Sequence, residues 1–252
     1  MRRRPPAGER PPGPFRRALV MGLYHSCTSA MAVELQRRFD IPVANRLVTN
    51  SRDALWKHRV HHARFDAADD GTLAVLMVKE PCFWLQSVAR NFYELHPVVT
   101  GEGGGLQDAT SRTFADLFDR VEHDKVIYPD ALALWTDAVR SYFDEEVYRA
   151  SACVVVRAED FLFRFEEVME ELADAWGLAP PPGAGAAPLE PRERAMKSGA
   201  RSRGEALAYY ADPANRAKGF TEEQVRQVQG GVDPGIAEIL GYGEDAVAAW
   251  AA

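Results

Sequence analysis

The stretch "RALVMGLYHSCTSAMAVELQRRF" (17–39) decides how the chain is read. Its first part, 17–24, is a short apolar run ending at a glycine turn, the mark of a buried strand. Its last part, 29–39, repeats Met31, Leu35 and Phe39 at spacing four, which sets them on one face of an amphipathic helix. Ser26, Thr28 and Ser29 lie between, and they are residues that cap helices. A strand, a tight turn and a helix in that order aim backbone N–H groups and the helix dipole at one point, where an anion is favoured. Helix capping alone accounts for the same hydroxyls, so the turn taken by itself leaves both readings open.

The alternation continues along the chain. "TLAVLMVKEP" (72–81) reads as a buried strand ending in charge and proline, and 83–96 has helical period. Residues 128–149 read as a long helix with Leu132, Trp135, Val139 and Tyr142 on one face. "SACVVVRAEDF" (151–161) is a further strand, 165–178 a helix stopped by glycine and prolines, and 179–188 a linker. A basic segment (191–210) with a helical end follows, then two short helices in 220–242. The expected fold is α/β, three-layered, with a central parallel sheet covered by helices on both faces. Ligands of such sheets sit outside the carboxyl ends of the strands. Conspicuous polar residues fall at those ends: His25 to Ser29, Lys79 with Glu80, and Arg157 with Glu159 and Asp160.

The bulk properties limit the function. The chain has 252 residues, 46% hydrophobic, enough for one substantial core, and a net charge of -7. That balance lacks the basic footprint of a nucleic-acid binder. Cys27, Cys82 and Cys153 are too widely spaced for a disulfide framework or a metal pair, which fits a reducing, cytoplasmic setting. No long apolar run spans a membrane. Residues 1–16, rich in arginine and proline, read as a disordered leader, and 17–252 as a single domain.

Three phosphate-binding patterns fail in the turn. The nucleoside-triphosphate loop needs a second glycine and a lysine where Cys27 and Thr28 stand. A dinucleotide loop needs G-x-G-x-x-G, and only Gly22 is present. A cysteine phosphatase needs an arginine close behind its thiolate, and the first is Arg37, well down the helix.

The residues Tyr24, His25, Ser26, Cys27, Thr28 and Ser29 are similar to the 5′-phosphosulfate loop of sulfotransferases that use 3′-phosphoadenosine 5′-phosphosulfate, commonly P-K-S-G-T-T. His25 stands where that family has lysine or arginine, and Cys27 where it has glycine. Lys79-Glu80-Pro81 with Ser87, eight positions after Lys79, resembles the family's strand-ending R-D-P and its following serine, which hold the 3′-phosphate. A cation and a hydroxyl so placed can reach one phosphate at a strand–helix junction. "VVVRAEDFLFRFEEV" (154–168) resembles the V-R-Y-E-D-L segment, with Ala158 in place of the tyrosine, and "LWTDAVRSYF" resembles a further family helix. The closing 220–242 resembles F-[ST]-x-[ED]-[EQ] with its final G-Y, and "LWKH" and "VKEPCFWLQS" are similar to uncharacterised algal members.

The resemblance implies a P-loop-like sulfotransferase fold and an enzyme that moves a sulfuryl group to a hydroxyl or amine without metal. The acceptor is expected to be a small molecule, with no nucleic acid or membrane as partner. Loop 97–127 is expected to wall it. The family's catalytic K-x-H has its counterpart in "LWKHRVHH" (55–62). His58 is the first choice of base, with His61 or His62 as fallback. Lys57 and a protonated His25 are the candidate cations for charge on the bridging oxygen. Adjacent residues of an extended segment face opposite ways, so Lys57 and His58 both reach the donor only across a bend. Three histidines without a carboxylate or cysteine at fitting spacing make a poor metal site. Lys197, Gly199 and Arg201, with Arg203, correspond to a late R-K-G element for the 3′-phosphate. Two alternatives remain: a catalytically degenerate relative that only binds a nucleotide, and a kinase-like enzyme.

Overall fold

The computed structural model describes residues 15–48, 55–60, 71–98, 112–144, 147, 150, 152–180 and 203–243. At its centre are three parallel strands, β1 (Arg17–Gly22), β2 (Thr72–Val78) and β6 (Ala152–Arg157), in the order β1-β2-β6. Leu19 pairs with Ala74, and Val75 with Val154. On the outer side of β1, Ala18 makes a single parallel bridge to Val43, and the Asn45 side chain completes the edge. Its Oδ1 accepts from the Val20 amide at 3.0 Å and its Nδ2 donates to the Val20 carbonyl at 2.8 Å.

The strands are apolar throughout because both faces are covered. Leu73, Val75 and Met77 face one core with α1 (Thr28–Arg38) and, from α5 (Phe165–Trp176), Leu172 and Trp176. Ala74, Leu76 and Val78 face the other with α2 (Pro81–Arg90) and α3 (Ala131–Ser141). That is the α/β layering the alternation predicts. Phe15, placed in the leader by composition, is 8% exposed and packs edge-on against Trp176, so the core begins before Arg17.

Several boundaries differ from the periodicity, each for a local reason. Glu80 caps α2 by accepting from the Phe83 amide, and α2 ends at Arg90, short of the expected 96. Asp130 caps α3 through the Ala133 amide, and α3 stops at Ser141. β6 ends at Arg157 because Glu159 and Asp160 open the short helix α4 (Ala158–Phe163), where acidic side chains suit the helix dipole. A small antiparallel sheet of β3 (His96–Pro97), β4 (Val121–His123) and β5 (Val126–Tyr128) lies in the stretch without periodicity. Its hairpin turns at Asp124 and Lys125, both left-handed, as a tight two-residue turn requires. The last helices among the described residues are α6 (Arg203–Ala211), α7 (Glu222–Gly231) and α8 (Pro234–Leu240). Among the described residues no helix is long and apolar enough to cross a membrane.

Candidate anion-binding site

Gly22 ends β1 in a space that no side chain can share. A Cβ there would stand 2.5 Å from the Met77 carbonyl oxygen and 2.7 Å from Ser26 Oγ. The following turn sets His25 (φ 63) and Cys27 (φ 65) left-handed on either side of Ser26. Alternating hands of this kind bring successive backbone N–H groups to one side, a concavity that suits an anion. Cys27 is the N-cap of α1, yet it makes no side-chain cap bond, and no acidic residue stands in the first helical turn. The expected capping by Ser26 does not occur, since its hydroxyl donates instead to the Leu23 carbonyl at 2.6 Å. Thr28 is buried at the helix start and Ser29 is exposed. Burial pushes the Cys27 thiol up to about 11, which leaves it no thiolate character at neutral pH.

The turn does not lack a lysine in space. Lys57 Nζ donates to Ser29 Oγ at 2.7 Å, and the Lys57 carbonyl accepts from the Gly22 amide at 2.8 Å. Its neighbour His58 reaches the same turn, with Nδ1 at 2.8 Å from the Gly22 carbonyl oxygen. A carbonyl only accepts, so Nδ1 carries the proton and Nε2 the lone pair. The chain bends here, the Arg59 amide bonding back to the Trp56 carbonyl, so two adjacent side chains converge where an extended segment would part them. Burial first, then the charge of Lys57, pushes His58 down to about 3. The ring lies against Tyr24 and edge-on to Trp56, with centroids at 4.2 and 5.8 Å.

His25 departs from its expected role as a cation. Its Nε2 lies 2.8 Å from the Asn91 carbonyl, so the ring donates there. Burial, and after it the nearby charges of Lys79 and Arg90, holds its pKa down at about 4 against that bond. The ring is neutral at pH 7.

Lys79 and Ser87 meet as their spacing predicts. Lys79 is 5% exposed, and its Nζ donates to Ser87 Oγ at 2.7 Å and to Tyr210 Oη at 2.6 Å. The ammonium also sits 4.7 Å from the centre of the Tyr210 ring. Among the described residues it forms no ion pair, although buried charges are ordinarily paired. Arg90, one turn along α2, donates to the same Ser87 Oγ at 3.1 Å. Glu80 is held elsewhere, by Arg216 at 2.9 Å. Arg157 is also taken: it forks onto Asp160 at 2.6 and 2.7 Å and donates to the Leu240 carbonyl at 2.8 Å, so it anchors α8.

The site therefore gathers Lys57, His58, Lys79 and Ser87 around the turn of residues 25–29, at the carboxyl ends of β1 and β2. His61, His62, Lys197, Gly199 and Arg201 lie outside the described residues. Among the described residues no group of His, Cys, Asp and Glu could hold a metal ion. Sequence reasoning missed Tyr210, Arg90 and the aromatic surround of His58. Arg90 was legible, three residues after Ser87 on one helix face, whereas Tyr210 arrives from a distant helix with no local signal.

No family model, curated protein or solved structure matches this chain.

Proposed function

We propose that the chain is a sulfotransferase with a P-loop-like sulfotransferase fold, taking its sulfuryl group from 3′-phosphoadenosine 5′-phosphosulfate. The observation that carries the reading is Lys79, a buried ammonium with no carboxylate within ion-pairing distance among the described residues, bonded to Ser87 beside an uncapped helix start. A buried cation so placed calls for an anionic ligand. Two anion positions, one at the turn and one at Lys79, suit a donor with phosphate at both its 5′ and 3′ sides.

In this reading the α1 amides, Ser29 and Lys57 hold the phosphosulfate, while Lys79 and Arg90 hold the 3′-phosphate. The acceptor oxygen or nitrogen attacks sulfur in line. The new S–O or S–N bond forms as the bond to the bridging oxygen breaks, releasing adenosine 3′,5′-bisphosphate. His58 Nε2 takes the acceptor proton, its ring fixed in the basic tautomer by the Gly22 carbonyl. Lys57 neutralises charge on the leaving oxygen. The α1 dipole and a lysine from a neighbouring segment replace the loop lysine of a nucleoside-triphosphate site. His25 serves the turn as a neutral ring.

A nucleotide-binding protein without turnover is the second reading, favoured by the neutral His25 where the family carries a cation. Calorimetry with adenosine 3′,5′-bisphosphate in metal-free buffer tests the shared binding claim. Micromolar binding, lost in Lys79→Ala, is expected. No binding by the unaltered chain ends both readings. Transfer of labelled sulfuryl groups to a panel of small alcohols, phenols and amines then separates them.

A further inference from the structure

The proton of the Ser87 hydroxyl is already committed. Oγ donates it to the Phe83 carbonyl at 2.8 Å, one helical turn back. Its lone pairs accept from Lys79 Nζ at 2.7 Å and Arg90 Nη2 at 3.1 Å. A hydroxyl has one proton and two lone pairs, so Ser87 is saturated and has nothing left to give a ligand. Tyr210 is in the opposite state. Its Oη accepts from Lys79 Nζ at 2.6 Å, and an ammonium can only donate, so the phenolic proton is left over. The residue is 6% exposed, and among the described residues that proton meets no acceptor. A buried donor without an acceptor is costly unless a ligand supplies one.

We infer that Tyr210, rather than Ser87, is the hydroxyl that faces the anion held by Lys79, and that Ser87 is a positioning residue that aims Lys79 and Arg90. The inference rests on reading this subsite as a phosphate site. Lys79 has spent two of its three protons, on Ser87 and Tyr210. The third and the phenolic proton seek acceptors, and Arg90, which also interacts with the Tyr209 hydroxyl, brings its charge beside them. That set selects a phosphate monoester over a free hydroxyl, which brings a proton of its own. Tyr210 therefore sets the preference for a nucleotide phosphorylated at the 3′ position over one with a bare 3′-hydroxyl. The ring is held independently of its hydroxyl, edge-on to Phe83 at 4.8 Å and to Tyr209 at 5.5 Å. Tyr210→Phe thus removes the donor and keeps the packing.

The test is metal-free calorimetry of the full chain, Tyr210→Phe and Ser87→Ala, each with adenosine 3′,5′-bisphosphate and with adenosine 5′-monophosphate. Thermal melts alongside confirm folding. The unaltered chain is expected to prefer the bisphosphate. Tyr210→Phe is expected to lose about tenfold or more of bisphosphate affinity while monophosphate affinity stays the same, because hydrogen bonds to a charged acceptor are strong. Ser87→Ala is expected to weaken the bisphosphate yet keep the preference. A preference unchanged in Tyr210→Phe, or lost only in Ser87→Ala, overturns the assignment and leaves the phosphate subsite standing. No preference in the unaltered chain overturns the phosphate reading itself, a distinguishable failure.

Discussion

Lys79 is the residue at which stability and binding pull apart. Its ammonium is 5% exposed and leans on two hydroxyls and a ring, with no carboxylate within ion-pairing distance among the described residues, although it feels the buried Glu159 carboxyl. A buried charge with no close ion pair carries a desolvation cost that an apolar side chain of similar length does not. Lys79→Met is therefore expected to melt higher, by about 1 kcal/mol in stability, while bisphosphate binding disappears. Thermal melts with calorimetry check both halves, and a variant that melts lower while still binding refutes the account. His58 gives a second prediction. Its pKa is held down at about 3 and that of His25 at about 4, each lowered first by burial. The basic form of His58 is thus populated far below the usual histidine range. The acid limb of kcat/KM, which reports free-enzyme groups, should lie below about pH 5 rather than near 6.5. His58→Ala should lower kcat by about a hundredfold or more.

At the scale of elements, the sequence is most readable where one segment builds its own geometry. The β1–turn–α1 unit and the Lys79–Ser87 pair depend on a few adjacent positions, and both fall where strand and helix periods put them. Periodicity overran at 83–96 and 128–149 because apolar spacing records burial: Phe92 and Leu95 are buried beyond α2, whose chain turns extended at Asn91, and Tyr128 is buried in β5 ahead of the Asp130 cap. The 121–128 hairpin was illegible because Asp124-Lys125 is not a favoured left-handed pair. Left-handed geometry at Cys27 yields a further prediction. Glycine takes that conformation without cost, whereas a β-branched residue is strained there by roughly 1–2 kcal/mol. Cys27→Gly should melt no lower than the unaltered chain, and Cys27→Val should melt several degrees lower. If the two melt alike, the turn does not hold Cys27 left-handed.

Across the whole molecule, distant segments close the site, and no window of the sequence displays that. Lys57 and Tyr210 each reach it from another part of the chain. Tyr242, just beyond α8, donates to Glu159 Oε2 at 3.0 Å, and the Glu80 amide donates to Oε1 at 3.0 Å. This one carboxyl ties the carboxyl end of β2 to the segment after α8. Burial, with the Glu80 charge beside it, raises the Glu159 pKa to about 7, against the pull of the Glu80 amide and Lys79. Glu159 therefore holds its proton more tightly folded than unfolded. Its contribution to stability is complete below about pH 4.5 and is lost as pH rises through about 7. The lowered pKa values of His25 and His58 act in the opposite sense, so their contribution is lost as pH falls below 6.5. A comparison with Glu159→Gln isolates the first effect, because glutamine keeps the shape and cannot ionise. The two proteins should melt together near pH 4.5, and the variant should gain on the unaltered chain up to about pH 7 and hold its lead above it. A constant difference across that range would mean that Glu159 enters the fold already charged, with Lys79 as its counter-ion, and Lys79 would then need no anionic ligand.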